Sequence, residues 1–134
     1  MWAPLDSAYF SCICVTGNTG YLCPTAHAAD TGGDSDGFET NPTYAFDVDS
    51  VPASNVGGDW DRHRLSTYGM SLKSSCSVSG IEVKLNWWLS ALGSGNSMDV
   101  ELSRDNGASW TTAKTDGVES TSERSVVLGS SSDI

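Results

Sequence analysis

The stretch Gly80-Ile81-Glu82-Val83-Lys84-Leu85-Asn86-Trp87-Trp88-Leu89 decides the fold. Ile81, Val83, Leu85, Trp87 and Leu89 fall at every second position. Glu82, Lys84 and Asn86 take the positions between. Successive side chains leave a strand on opposite sides, so a period of two marks a strand with one buried face. The first set is expected to face a core. The second is expected to face solvent, with Trp88 as an apolar exception.

The same pattern continues outward. Residues 91–97 carry Gly93-Ser94-Gly95-Asn96 and read as a hairpin loop. Residues 98–103 return as a strand with Met98, Val100 and Leu102 inward. Asp105-Asn106-Gly107 has the composition of a tight turn. Strands are expected at 110–114 and 124–128, and upstream at 64–72, 43–48 and 9–15. No segment has a convincing helical period. About seven to eight short strands at regular spacing predict an all-β chain folded as an antiparallel β-sandwich.

Composition narrows the function. The chain has 134 residues and a formal net charge of −10. Residues 1–61 hold nine acids and no Lys or Arg; residues 62–134 hold eight acids and seven bases. Such a chain does not bind nucleic acid or anionic lipid by charge. No apolar run reaches the ~18–20 residues of a membrane span. The length is too short for a barrel enzyme or a full propeller.

Four cysteines, Cys12, Cys14, Cys23 and Cys76, in a Ser/Thr-rich chain predict disulfides and an extracellular setting. Neighbours two apart on a strand do not close easily. One of Cys12 and Cys14 is therefore expected to join Cys23, and the other Cys76. Buried free thiols are the alternative. The Cys-x-Cys pair with Cys23 and His27 matches no usual zinc spacing. The first 28 residues resemble a signal peptide only superficially, because they lack a basic start, contain Asp6 and are turn-rich. They read as part of the fold.

Four clusters carry candidate chemistry. Ser103-Arg104-Asp105-Asn106-Gly107-Ala108-Ser109-Trp110 has the form of an Asp box. Asp105 can accept backbone N–H groups, Gly107 supplies a positive φ, and Trp110 packs beneath the turn. Ser103, Asp105, Gly107 and Trp110 are thus a structural set. A sialidase would need several such boxes and an arginine cluster.

The second cluster is Asp34-Ser35-Asp36-Gly37-Phe38-Glu39, with Asp30 upstream. Alternating carboxylates around a glycine suit a calcium loop, with Asp30, Asp34, Asp36 and Glu39 as ligands; the bland alternative is a solvated acidic loop. No other cofactor is indicated. The third, Asp59-Trp60-Asp61-Arg62-His63-Arg64, mixes acids, bases and a histidine. An ion pair of Asp61 with Arg62 or Arg64 where the strand begins is the plainer reading than catalysis. The fourth is Trp87-Trp88. Trp60 and Trp88 are candidate surface aromatics for stacking on a sugar or sitting under a partner.

Residues 20–39, 61–72, 78–89 and 96–114, continuing to Val126-Val127-Leu128-Gly129, together resemble an Asp-box-containing β-sandwich module of secreted and surface-associated microbial proteins. The resemblance covers residues 17–134. It implies a binding or structural unit, with no catalytic residues to carry over. It also implies closing strands past Val126, which this chain lacks. An open ladder and an exposed core groove are then expected. Residues 1–16 form an extension ahead of the 17–134 domain. Its run Tyr9, Phe10, Ile13 and Val15 has strand character and is a candidate joining strand. It can fold back into its own sandwich or enter a neighbour's by strand complementation, which would propagate as a filament.

The resulting expectation is a non-enzymatic extracellular module that self-assembles, with itself as partner. The alternative is a carbohydrate-binding or adhesion module with a calcium-stabilised acidic loop, meeting cell-surface proteins or glycans.

Overall fold

The computed structural model describes residues 2–3, 7–17, 20–47, 49–56, 60–71, 77–130 and 132–133, with side chains from Tyr21 onward. The chain is all-β, and every strand pairing among these residues is antiparallel. The strands are β1 (Trp2–Ala3), β2 (Ser7–Gly17), β3 (Gly20–Leu22), β4 (Ala26–Ala29), β5 (Ala53–Val56), β6 (Asp61–Ser66), β7 (Glu82–Leu89), β8 (Met98–Val100), β9 (Lys114–Asp116) and β10 (Arg124–Gly129). One sheet runs β4-β6-β1-β8-β9 and the other β10-β7-β2-β3, with β5 also on β2.

The alternation of residues 80–89 survives in β7. Val83, Leu85, Trp87 and Leu89 are buried, and Ile81 packs against the same cluster. Met98 and Val100 of β8 join them from the other sheet, with Phe38, Ala45 and Ala53 from the intervening loops and β5. The outward set departs from expectation at Asn86, which is buried and donates its amide to Glu123 Oε1 at 2.8 Å. Trp88 is half-buried, not an open platform.

β2 settles the placement of residues 9–15. Residues 8–16 pair along one edge of β2 with β7; residues 7–10 and 15–17 pair along the other with β5 and β3. Tyr9, Phe10, Ile13 and Val15 therefore occupy an inner strand of their own chain. The boundary expected at residue 16 falls inside β2. A bulge between Ser11 and Ile13 displaces Cys12 from the β7 register. Val15 faces Leu22 and Thr16 faces Tyr21, the last pairs before Cys14 and Cys23 where β3 ends. Cys76 lies outside the described residues.

Other boundaries moved for local reasons. Residues 42–46 form a 3₁₀ helix starting with Pro42, where a short strand was expected; Val48 lies outside the described residues. The strand expected from Arg64 begins three residues earlier, at Asp61, and stops at Ser66, where Thr67 takes a φ of 60°. The hairpin arms pair as Met98 with Asp116 and Val100 with Lys114. The strand expected at 110–114 is thus mostly connection. β3, β4 and β5 were not expected, and Ala26-His27-Ala28-Ala29 shows why: it has no apolar alternation.

Trp87 ties the second sheet to β9. Its indole Nε1 donates to Asp116 Oδ2 at 2.6 Å inside the core, and Arg124 of β10 pairs with the same carboxylate. Trp87→Phe removes the donor and part of the buried indole. It is expected to cost at least about 2 kcal/mol, the size of a hydrogen bond to a charged group with a cavity cost added, measured by urea denaturation.

Candidate functional site

β6 organises the polar part of the molecule. Along it Asp61 and His63 are buried while Arg62 and Arg64 lie on the other face. The two faces hold different loops.

Arg62 and Arg64 hold the Asp box. Their guanidinium carbons lie 5.6 and 5.4 Å from the centroid of the Trp110 ring. Trp110 thus packs against β6 as well as under its own turn. Within the turn, Ser103 Oγ donates to Asp105 Oδ1 at 2.8 Å and accepts Gly107 N at 2.7 Å. Ser109 N donates to Asp105 Oδ1 at 2.8 Å and Ser109 Oγ to Oδ2 at 2.5 Å. Gly107 has the expected positive φ, 89°. Every named Asp-box group is consumed by the hairpin.

The arginines do not pair with Asp61. Arg62 donates to Glu101 Oε2 at 2.8 Å. Arg64 Nη2 donates to Asp30 Oδ1 at 2.9 Å, and its Nε stands 2.9 Å from Oδ2. That bond holds the Asp30 carboxyl below its ordinary value. Asp30 is therefore an arginine partner, which corrects its assignment to the calcium set.

The other face of β6 holds the acidic loop. Asp61, fully buried, accepts Asp34 N at 3.0 Å. His63 Nδ1 accepts Phe38 N at 3.1 Å, and the Phe38 ring stacks on the imidazole at 4.7 Å. The approach is close enough to require glycine twice. A Cβ on Gly33 would lie 1.8 Å from Asp61 Oδ1, and one on Gly37 2.6 Å from His63 Nδ1; both residues have positive φ. Asp34, Asp36, Glu39 and Asp61 present carboxylate oxygens all within 4.8 Å of one another. Asn55 of β5, fully buried, joins them: its side-chain amide lies 2.8 Å from Gly37 O, 2.9 Å from Asp61 Oδ2 and 3.2 Å from Glu39 Oε2. Crowding has the expected electrostatic effect. A hydrogen bond shared with Asp34 pushes Asp36 up to about 6, and burial pushes Asp61 up.

His63 has a defined tautomer. Its Nδ1 accepts a backbone proton, so the neutral ring carries its own proton on Nε2, 3.0 Å from His27 Nδ1. Burial, followed by repulsion from His27, lowers His63 to about 4. Trp60, at a φ of 70°, is 51% exposed beside this face.

Two open cavities flank the Asp box. A cleft of about 400 Å³ between it and β6 is lined by residues including Tyr68, Trp110, His27, Arg64, Glu101 and Asn106. A groove of about 680 Å³ on the other side is lined by residues including Ile81, Val83, Val100, Leu102 and Leu128. Sequence reading singled out neither Asn55 nor Tyr68. Both precede or follow β6 by a few residues and carry no motif, so only the pairing of β5 and the end of β6 reveal them. No family model, no curated protein and no solved structure matches this chain.

The shifts make signed predictions. Asp105 titrates near 2 in the folded chain against an ordinary 3.8, because the Ser109 hydroxyl and N–H and the Ser103 hydroxyl bind its ionised form. Its stabilisation is complete above 3.8 and is lost as pH falls toward 2. Asp105→Asn should lower the melting temperature at neutral pH and flatten its decline across that window. His63 likewise loses stability for the fold between 6.5 and about 4, while Asp36 works in the opposite sense between about 6 and 3.8. Melts therefore mix the two, and NMR titration of the His63 ring isolates one. Its midpoint is expected near 4; a midpoint at or above 6.5 would contradict the buried, acceptor Nδ1.

Proposed function

We propose that this chain is a non-enzymatic, extracellular β-sandwich module that binds carbohydrate as an adhesion unit. The two antiparallel sheets are the faces of the sandwich, with β7 and β8 supplying its core. The observation that carries the reading is the cleft between β6 and the Asp box. Its volume of about 400 Å³ suits a small sugar. Tyr68 and Trp110 line it with rings for the C–H faces of a pyranose, and Asn106 and His27 bring polar groups for its hydroxyls, while Arg64 and Glu101 in its wall are already paired with Asp30 and Arg62. Trp60 is a second exposed ring.

The non-enzymatic part rests on how the candidate groups are used. His63 is fixed by Phe38 N, Asp30 by Arg64, and Asp105 by its own hairpin. The hydroxyls that meet Asp105, those of Ser103 and Ser109, close its own turn, and among the described residues no hydroxyl or thiol is hydrogen-bonded to His63. The extracellular part rests on the cysteines. Cys14 and Cys23 adjoin the pair of Val15 with Leu22, a position that suits a disulfide. Self-assembly through residues 9–15 would require that strand to leave both β7 and β5, so the binding reading is preferred.

The test is a glycan array probed with the full chain, in calcium and in EDTA. Binding of at least one glycan class is expected. Tyr68→Ala and Asn106→Ala should each weaken it about tenfold, roughly the loss of one stacking or hydrogen-bonding contact, measured well below each variant's melting temperature because Tyr68 also packs against the core and Asn106 holds a φ of 58°. No glycan bound in either buffer would sink the reading.

A further inference from the structure

We propose a calcium site between the acidic loop and β6, with Asp34, Asp36, Glu39 and Asp61 as carboxylate ligands, Gly37 O as a carbonyl ligand and the buried Asn55 side chain as an amide-oxygen ligand. The four carboxylates alone would not carry this, since exposed acids cluster without any ion. Asn55 is the independent observation. It is fully buried, and its side-chain oxygen faces only acceptors: Gly37 O at 2.8 Å, Asp61 Oδ2 at 2.9 Å and Glu39 Oε2 at 3.2 Å.

Four oxygens turned on one another are repulsive unless something positive lies among them. Turning the amide over is the other solution: it satisfies Asn55 and leaves the four carboxylates as close to one another as before. An NH₂ group has two protons for three acceptors, two of them carboxylates. The nearest bases in sequence do not help, because Arg62 and Arg64 are held by Glu101 and Asp30. Among the described residues no ion pair reaches Asp34, Asp36, Glu39 or Asp61. A buried carboxylate such as Asp61 stays ionised only with a counter-charge.

The spacing suits calcium. Calcium holds oxygen at ~2.3–2.6 Å, so oxygens on opposite sides of one ion are roughly 5 Å apart and adjacent ones about 3 Å. The carboxylate oxygens lie within 4.8 Å of one another, and the Asn55 contacts run from 2.8 to 3.2 Å. All six donors are oxygen, which selects a hard cation over zinc or copper. Six protein oxygens from irregular loops favour calcium over magnesium, which keeps water and demands a regular octahedron. The site stands apart from the glycan reading: a chain that binds calcium and no glycan keeps it.

Calorimetry and thermal melts of the full chain with CaCl₂ alone test it. One ion per chain and a rise in melting temperature of several degrees are expected, with MgCl₂ at the same concentration giving a much smaller rise. Asp36→Asn and Glu39→Gln should each weaken binding at least ~tenfold, as loss of a charged ligand does. Asp49→Asn, in an exposed turn of its own, should bind as the wild type does. Asn55→Asp separates the amide readings. Its melting temperature should be low in EDTA and restored by CaCl₂, whereas a role for the amide as donor alone makes the loss independent of calcium. Unchanged heats and melts at ~10 mM CaCl₂, above the weak end of extracellular sites, would overturn the proposal. So would wild-type affinity in both Asp36→Asn and Glu39→Gln, or an Asn55→Asp defect that calcium does not relieve.

Discussion

The buried carboxylate of Asp61 is the constraint around which the polar half of the molecule is arranged. A carboxylate with no exposure must have its oxygens occupied. Here the backbone of Asp34 reaches one oxygen and the Asn55 side chain lies against the other. To do so, the loop from Asp30 must fold down on β6, and Gly33 must pass where a Cβ cannot fit. The loop then delivers Phe38 to the core, where its ring stacks on His63. One buried acid thus positions a loop and a core aromatic.

β6 has consequences on both sides because strand alternation separates its residues. The side of Asp61 and His63 collects carboxylates. The side of Arg62 and Arg64 grips Trp110 and fixes the Asp box over the second sheet edge. The charge division of the sequence acquires a location in this way. The first 61 residues carry acids only, and four of those acids gather on one face of β6, while Asp30 crosses to pair with Arg64. The net charge is concentrated at the acidic loop, while residues 62–134, with eight acids and seven bases, are nearly neutral.

Much of the framework was legible in the chain, for a physical reason that differs from part to part. β7 alternates strongly, so its inward face was readable residue by residue. The Asp box is a local motif whose hydrogen bonds span only a few positions, so its roles for Ser103, Asp105 and Gly107 could be deduced before any fold was known. The acidic loop was legible as a cluster of carboxylates, but not which of them meet. Asp30, not Asp61, meets Arg64, because that contact depends on the pairing of β4 with β6. The strand boundaries at 43–48 and 64–72 failed for local reasons, Pro42 in one case and the positive φ of Thr67 in the other.

By itself the sequence determined the all-β class of the fold, the core face of β7, the tight turn from Ser103 to Trp110 and the uneven distribution of charge. These depend on period, short-range hydrogen bonding and net charge, all of which are properties of neighbours along the chain. Tertiary structure alone decided where residues 9–15 belong, that Asn55 stands among the carboxylates, and that Tyr68 and Trp110 share a cleft. Each of these joins residues far apart in sequence, and such contacts are fixed by which strands pair and in what register. The composition of the segments does not encode that information locally.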